Sequence, residues 1–135
     1  MESSMADSSS NPIHQLLLQA IAGNGEALGK ILIHHRSYLK MLASAQLHQR
    51  LQGKADPSDL VQEAFLEAQK QIGTFRGSSN VEFAGWLRGI LAHILAKHFR
   101  RFLGTQQRDL RIEQSFVESL DQASGCMQAF PFQIT

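Results

Sequence analysis

The residues of this sequence that could do chemistry are a ladder of carboxylates, a scatter of histidines and a block of cations. Asp59, Glu63 and Glu67 stand at four-residue steps, so on a helix they share one face. Paired carboxylates serve acid–base catalysis, or hold a hard cation, when further ligands or a nucleophile lie beside them. None does here. The six histidines, His14, His34, His35, His48, His93 and His98, are scattered, and no Cys/His pair has zinc-ligand spacing. There is no Gly-rich phosphate loop, no G-x-S-x-G elbow and no triad pattern. The expectation is a protein without enzymatic activity, metal or cofactor. Like charges at four-residue spacing cost a helix about 0.2–0.5 kcal/mol per pair, so this ladder looks outward. It is either a solubilising surface or a docking face in which Leu66 supplies an apolar anchor and the acids meet basic residues of a partner.

The cations are unevenly distributed. Residues 1–79 carry seven Lys/Arg against seven Asp/Glu, residues 80–111 six against two, and residues 112–135 none against three. Arg88, Lys97, Arg100 and Arg101 gather with His93 on the non-core side of one expected helix, just after a loop holding Arg76 and Asn80. Cations on one flank suit a phosphate backbone, and polar or aromatic neighbours suit unpaired bases; a solvated helix face gives the same pattern. Phe83 and Trp86 are assigned to the core. Gly85, Gly89, Ala92 and Ala96 form a stripe of small residues. A mid-helix glycine costs about 1 kcal/mol relative to alanine, so something is expected to lie tightly against it.

These residues need helices to position them, and the punctuation of the chain supplies helices. At 135 residues, 43% apolar and 19% charged, the chain fits one soluble domain with its own core. Residues 1–11 are Ser-rich and expected to be a disordered tail. Asn11 and Pro12 open a first helix that Gly23-Asn24-Gly25 stops. Apolar residues at three- and four-residue steps predict one long second helix from Glu26 to about Gln52. Asp56-Pro57-Ser58-Asp59 marks a third start, with a cap, a proline at the first position and a carboxylate in the first turn, and Gly73 closes that helix. Asn80 is placed to cap a fourth helix, Val81 to Leu103, ended by Gly104. An all-α bundle of about four helices over residues 12–104 follows. Residues 105–135 read as a linker or frayed helix and an irregular tail. Cys126 is alone, which suits a reducing compartment. With no apolar run near the roughly 20 residues of a membrane span and no secretion signal, the expectation is a cytoplasmic protein with no membrane partner.

Asp56-Pro57-Ser58-Asp59-Leu60-Val61-Gln62-Glu63-Ala64-Phe65-Leu66-Glu67-Ala68, then Phe75-Arg76-Gly77 and Trp86-Leu87-Arg88, resemble region 2 of extracytoplasmic-function (ECF) sigma factors of the sigma-70 family. The resemblance covers roughly residues 15–115 and is strongest to the version abundant in planctomycete-type bacteria. It implies a sigma region 2-like helical domain that docks on the β′ clamp helices of core RNA polymerase through Asp59, Gln62, Glu63 and Leu66. It also implies that the following loop and helix hold the non-template strand of the −10 promoter element, with a base turned out of the stack. That assigns Arg76, Ser79, Asn80, Arg88, His93, Lys97, Arg100 and Arg101 to DNA. An anti-sigma factor is a further partner the family implies. The family commonly has Asn where His93 stands, and polar residues at Gly89 and Ile94 in the planctomycete-type members. By the resemblance a −35-reading domain would follow a linker, and the expectation here is a chain lacking it, either a disrupted gene product or a stand-alone region 2 protein. The expected function is promoter melting in transcription initiation. The alternative is an interaction module that occupies polymerase or an anti-sigma partner without initiating.

Overall fold

Asp56 and Pro57 carry the best-marked helix start of the chain, and the computed structural model begins a helix there. The structure describes residues 12–51, 54–104 and 110–128; the expected N-terminal tail, residues 1–11, the expected end of the second helix at residues 52–53, and the stretches 105–109 and 129–135 lie outside them. Among the described residues every regular element is helical: α1 Pro12–Ile21, α2 Gly25–His34, α3 Arg36–Arg50, α4 Pro57–Gln71, α5 Asn80–Leu103 and α6 Leu110–Gln128, with one 3-10 turn, Ile72–Thr74. The all-α bundle is as expected, with more helices than the four read from the sequence.

Local rules explain most of the ends. Asp56 Oδ1 accepts from Ser58 N at 2.8 Å, Pro57 takes a first-turn position that needs no N–H, and Asp59 sits in the positive first turn. Asn24 caps α2 by accepting from Ala27 N at 3.0 Å. Gly104 ends α5 in the left-handed region, φ 75°, where glycine has no steric penalty. The cap of α5 differs from the expected Asn80. Ser79 holds that position in an extended conformation, and Ser79 with Glu82 forms a reciprocal capping box.

The long second helix is two helices. The chain breaks at His35, whose φ of −93° and ψ of 0° lie between the helical and extended regions. No proline or glycine marks the break. The cause is tertiary: the His35 ring is buried, 6% exposed, with Nε2 3.1 Å from Asn80 Oδ1 and the ring 5.5 Å from that of Phe83.

α5 is the central helix. Phe83, Leu87, Ile90, Leu91, Ala92, Ile94, Leu95 and Ala96 are all buried, more than one stripe can hold, because α3, α4 and α6 all lie against it. Phe83 is core as expected, Trp86 is partly buried, and Phe102 is exposed. Gly85 and Gly89 are not tightly packed, contrary to expectation. A Cβ on Gly89 would meet nothing within 4 Å, and one on Gly85 only Arg88 Nη2 at 3.4 Å.

The stretch expected as a linker or frayed helix contains α6, and it is packed. Phe116 and Leu120 are fully buried, with Ile112, Val117 and Ala123 partly so against the same core. The Arg50 guanidinium lies 3.8 Å from the centre of the Phe116 ring, and Tyr38 Oη is 2.6 Å from Ser124 Oγ. Burying a side chain such as Phe116 stabilises by about 1.5–3 kcal/mol, enough to hold a polar helix whose own propensity is modest.

Candidate functional site

The outer face of α4 presents Asp59 and Gln62 exposed and Leu66 half exposed, at 50%. The other two acids of the ladder are engaged. Glu67 accepts a hydrogen bond from Gln71 Nε2. Glu63 reaches across to α5, where it accepts from Lys97 Nζ and lies 2.9 Å from His98 Nε2. Burial pushes the Glu63 carboxyl up, but the hydrogen bonds and charges of Lys97 and His98 together outweigh it and hold the group below the usual carboxylate value.

The connection from α4 to α5 is held from both sides. Phe75 is buried, edge-on to Phe83 at 5.5 Å and 5.4 Å from Trp86. Glu82 Oε1 accepts from Ser78 N at 2.9 Å, Ser79 N at 3.1 Å and Ser79 Oγ at 3.1 Å. Those donors hold its carboxyl below the ordinary value. Between them sits Gly77, where a Cβ would stand 2.9 Å from both Glu82 Oε1 and Phe75 Cζ, so any side chain there forces one of the two to shift. Arg76 is exposed, with Nη1 donating to Gly73 O at 3.1 Å. Asn80 points inward to His35. With its carbonyl oxygen accepting, His35 Nε2 carries the proton and the two amide N–H groups of Asn80 stay free to donate. Burial lowers the His35 pKa, the Asn80 hydrogen bond raises it and the neighbouring His34 lowers it; the net shift is downward.

Along α5 the expected DNA contacts divide. Arg88 is largely covered, 17% exposed, with Nε donating to Asp121 Oδ1 at 3.1 Å and Nη1 to Tyr38 Oη at 2.9 Å. His93 Nδ1 lies 3.1 Å from Glu113 Oε1, and Lys97 is taken by Glu63. Arg101 is exposed and Arg100 half buried, with no side-chain ion pair to either among the described residues. Arg101 borders an open cleft of about 470 Å³ with Asp56, Asp59, His98 and Phe102. The structure therefore brings Arg76, Ser79 and Asn80 together at one end of α5 and Arg100 and Arg101 at the other, about 30 Å apart at 1.5 Å per residue. The cations between them meet acids. Sequence reasoning missed Tyr38, Glu113 and Asp121 as partners of this helix, and no local signal marks them. It also missed Ser79 as the cap, although Ser79-Asn80-Val81-Glu82 spells the S-x-x-E pattern.

Among the described residues no cluster of three or more His, Cys, Asp or Glu is placed to hold a metal ion, and no helix is long and apolar enough to cross a membrane.

The family model of sigma-70 region 2 matches residues 34–102, from the end of α2 through α5. The ECF RNA polymerase sigma factor BldN of Streptomyces coelicolor is 31% identical over 130 residues, 88% of this chain and 47% of BldN, so the chain spans about half the length of that relative. No solved structure matches this chain. Since the match takes in the capped α4, the aromatic-plugged loop and the central α5, the chain belongs to the sigma-70 region 2 family.

Proposed function

We propose that this domain serves transcription initiation as the ECF-type, planctomycete-like polymerase-docking and strand-holding unit of a sigma factor. Asp59, Gln62 and Leu66 dock on the β′ clamp helices of core polymerase, and Glu63 borders that contact while tying it to α5. Arg76, Ser79 and Asn80 meet the unpaired −10 strand, the Asn80 amide donating to a base and Arg76 to a phosphate, while Arg100 and Arg101 hold the backbone further along. The observation that carries this reading is the prefixed loop: Phe75 plugged between Phe83 and Trp86 on one side and the Glu82 carboxylate gripping three donors on the other. A loop already ordered has less entropy to lose when it captures a flexible strand. Turning a base out of the stack costs a few kcal/mol, which polymerase docking and the phosphate contacts offset.

A second reading, a module that occupies polymerase or an anti-sigma factor without opening DNA, is favoured by one observation: Arg88, His93 and Lys97 already have acidic partners within the chain. Fluorescence polarisation with a labelled single-stranded −10 oligonucleotide separates the two. Binding that strengthens when core polymerase is added supports strand holding. Polymerase binding with no oligonucleotide signal supports the second reading, and no binding to either rules out both.

A further inference from the structure

Two of the three acids of α6 are aimed at α5. Glu113 meets His93 and Asp121 meets Arg88, each at 3.1 Å, whereas Glu118 stays on the outer side in contact with Gln114 of its own helix. Arg88 is held twice, because the Tyr38 hydroxyl that accepts from it also bonds Ser124 of α6. The position of α6 is thereby transmitted to a cation of α5. These pairs are partly open to solvent, Arg88 at 17% with Asp121 at 57% and His93 at 41% with Glu113 at 35%, and ion pairs that water reaches contribute modest stability. The apolar side chains Phe116 and Leu120 already seat the helix, so stability alone does not account for acids placed on those two basic side chains. A carboxylate on a cation occupies the position that a phosphate would take.

We propose that α6 is a built-in competitor of the nucleic-acid strand: Glu113 and Asp121 occupy His93 and Arg88, and a strand reaches the middle of α5 only by displacing α6. This rests on the strand-holding reading above and adds regulation to it. The ends of the interface, Arg76 to Asn80 and Arg100 with Arg101, remain open for a first contact. Anything that draws α6 away then uncovers the centre.

The test uses the full chain and a labelled single-stranded DNA oligonucleotide at fixed low salt. Neutralising both acids, E113Q with D121N, is expected to tighten binding about three- to tenfold. E118Q removes the same charge as E113Q without touching α5 and is expected to change affinity by less than half as much. In the unmodified protein, saturation with the oligonucleotide is expected to speed backbone hydrogen exchange across residues 110–128. Equal effects of E113Q and E118Q would reduce the device to bulk charge and overturn it, as would unchanged or slower exchange in α6 on saturation. R100A with R101A separates the layers. If that pair weakens binding while E113Q/D121N leaves it unchanged, competition fails and strand holding stands. If no variant binds, or binding ignores Arg100 and Arg101, strand holding fails and competition with it.

Discussion

His35 ends α2, opens α3 and fixes the Asn80 amide, all through one buried ring. Its pKa lies below the ordinary 6.5 chiefly because burial disfavours the imidazolium, so the fold holds it neutral. A depressed histidine contributes stability that is fully present above 6.5 and lost as pH falls from there toward its folded value. The thermal midpoint is therefore expected to drop as pH is lowered below 6.5, with a shallower slope in H35F, which keeps the ring packing and cannot titrate. Scanning calorimetry across that range checks it, and equal slopes would exclude His35 as the source. Glu63 acts in a separate window. Its carboxyl sits below the ordinary 4.5, so the stability from Lys97 and His98 persists above 4.5 and fades as pH falls further. Gly77 is the tightest backbone position of the loop. Overpacking typically costs about 1–3 kcal/mol, so G77A is expected to lower the urea midpoint by an amount in that range and to weaken strand binding with it.

Individual helices were legible where their signals are local. Asp56-Pro57 and Gly104 act on their own backbone, and α4 and the end of α5 stand where those residues put them. The break at His35 was hidden because its cause, Asn80 and Phe83, lies 45 and 48 residues away in the chain. Helix α6 was underestimated for a similar reason: its stripe Phe116, Leu120, Ser124 is thin and polar-flanked, and it is stabilised by Arg50, Tyr38 and Phe99 from other helices. Truncating Phe116 removes the centre of that contact. Phe→Ala in a core costs about 3–5 kcal/mol, and F116A is expected to lose that much in equilibrium unfolding. At the head of α5, S79A is expected to cost about 1 kcal/mol, the usual worth of an N-cap. It would also release the Glu82 carboxylate from one of its three donors.

For the molecule as a whole, the candidate site was legible in composition and not in arrangement. The acidic helix and the basic one that follows it carry separate charged faces in the sequence, and Glu63 bridges them to Lys97 and His98, so the faces adjoin. The net charge of a segment counts cations without saying which are already paired. Salt dependence reads the difference. Of the five Lys/Arg candidates, Arg100, Arg101 and at most Arg76 are open to phosphates while α6 is in place, so the slope of log K against log salt for that first contact with a single strand is expected at about −1.4 to −2.1, rising to about −2.8 when Arg88 is uncovered, against about −3.5 if all five engaged. The central claim, that α4 carries the polymerase contact, is tested most directly by the affinity of core RNA polymerase for the triple variant D59A/Q62A/L66A. All three side chains are exposed or half exposed, so the fold is expected to survive their removal. The expected result is at least about a tenfold loss of core affinity, with R100A/R101A docking normally; undiminished binding of the triple variant would contradict it.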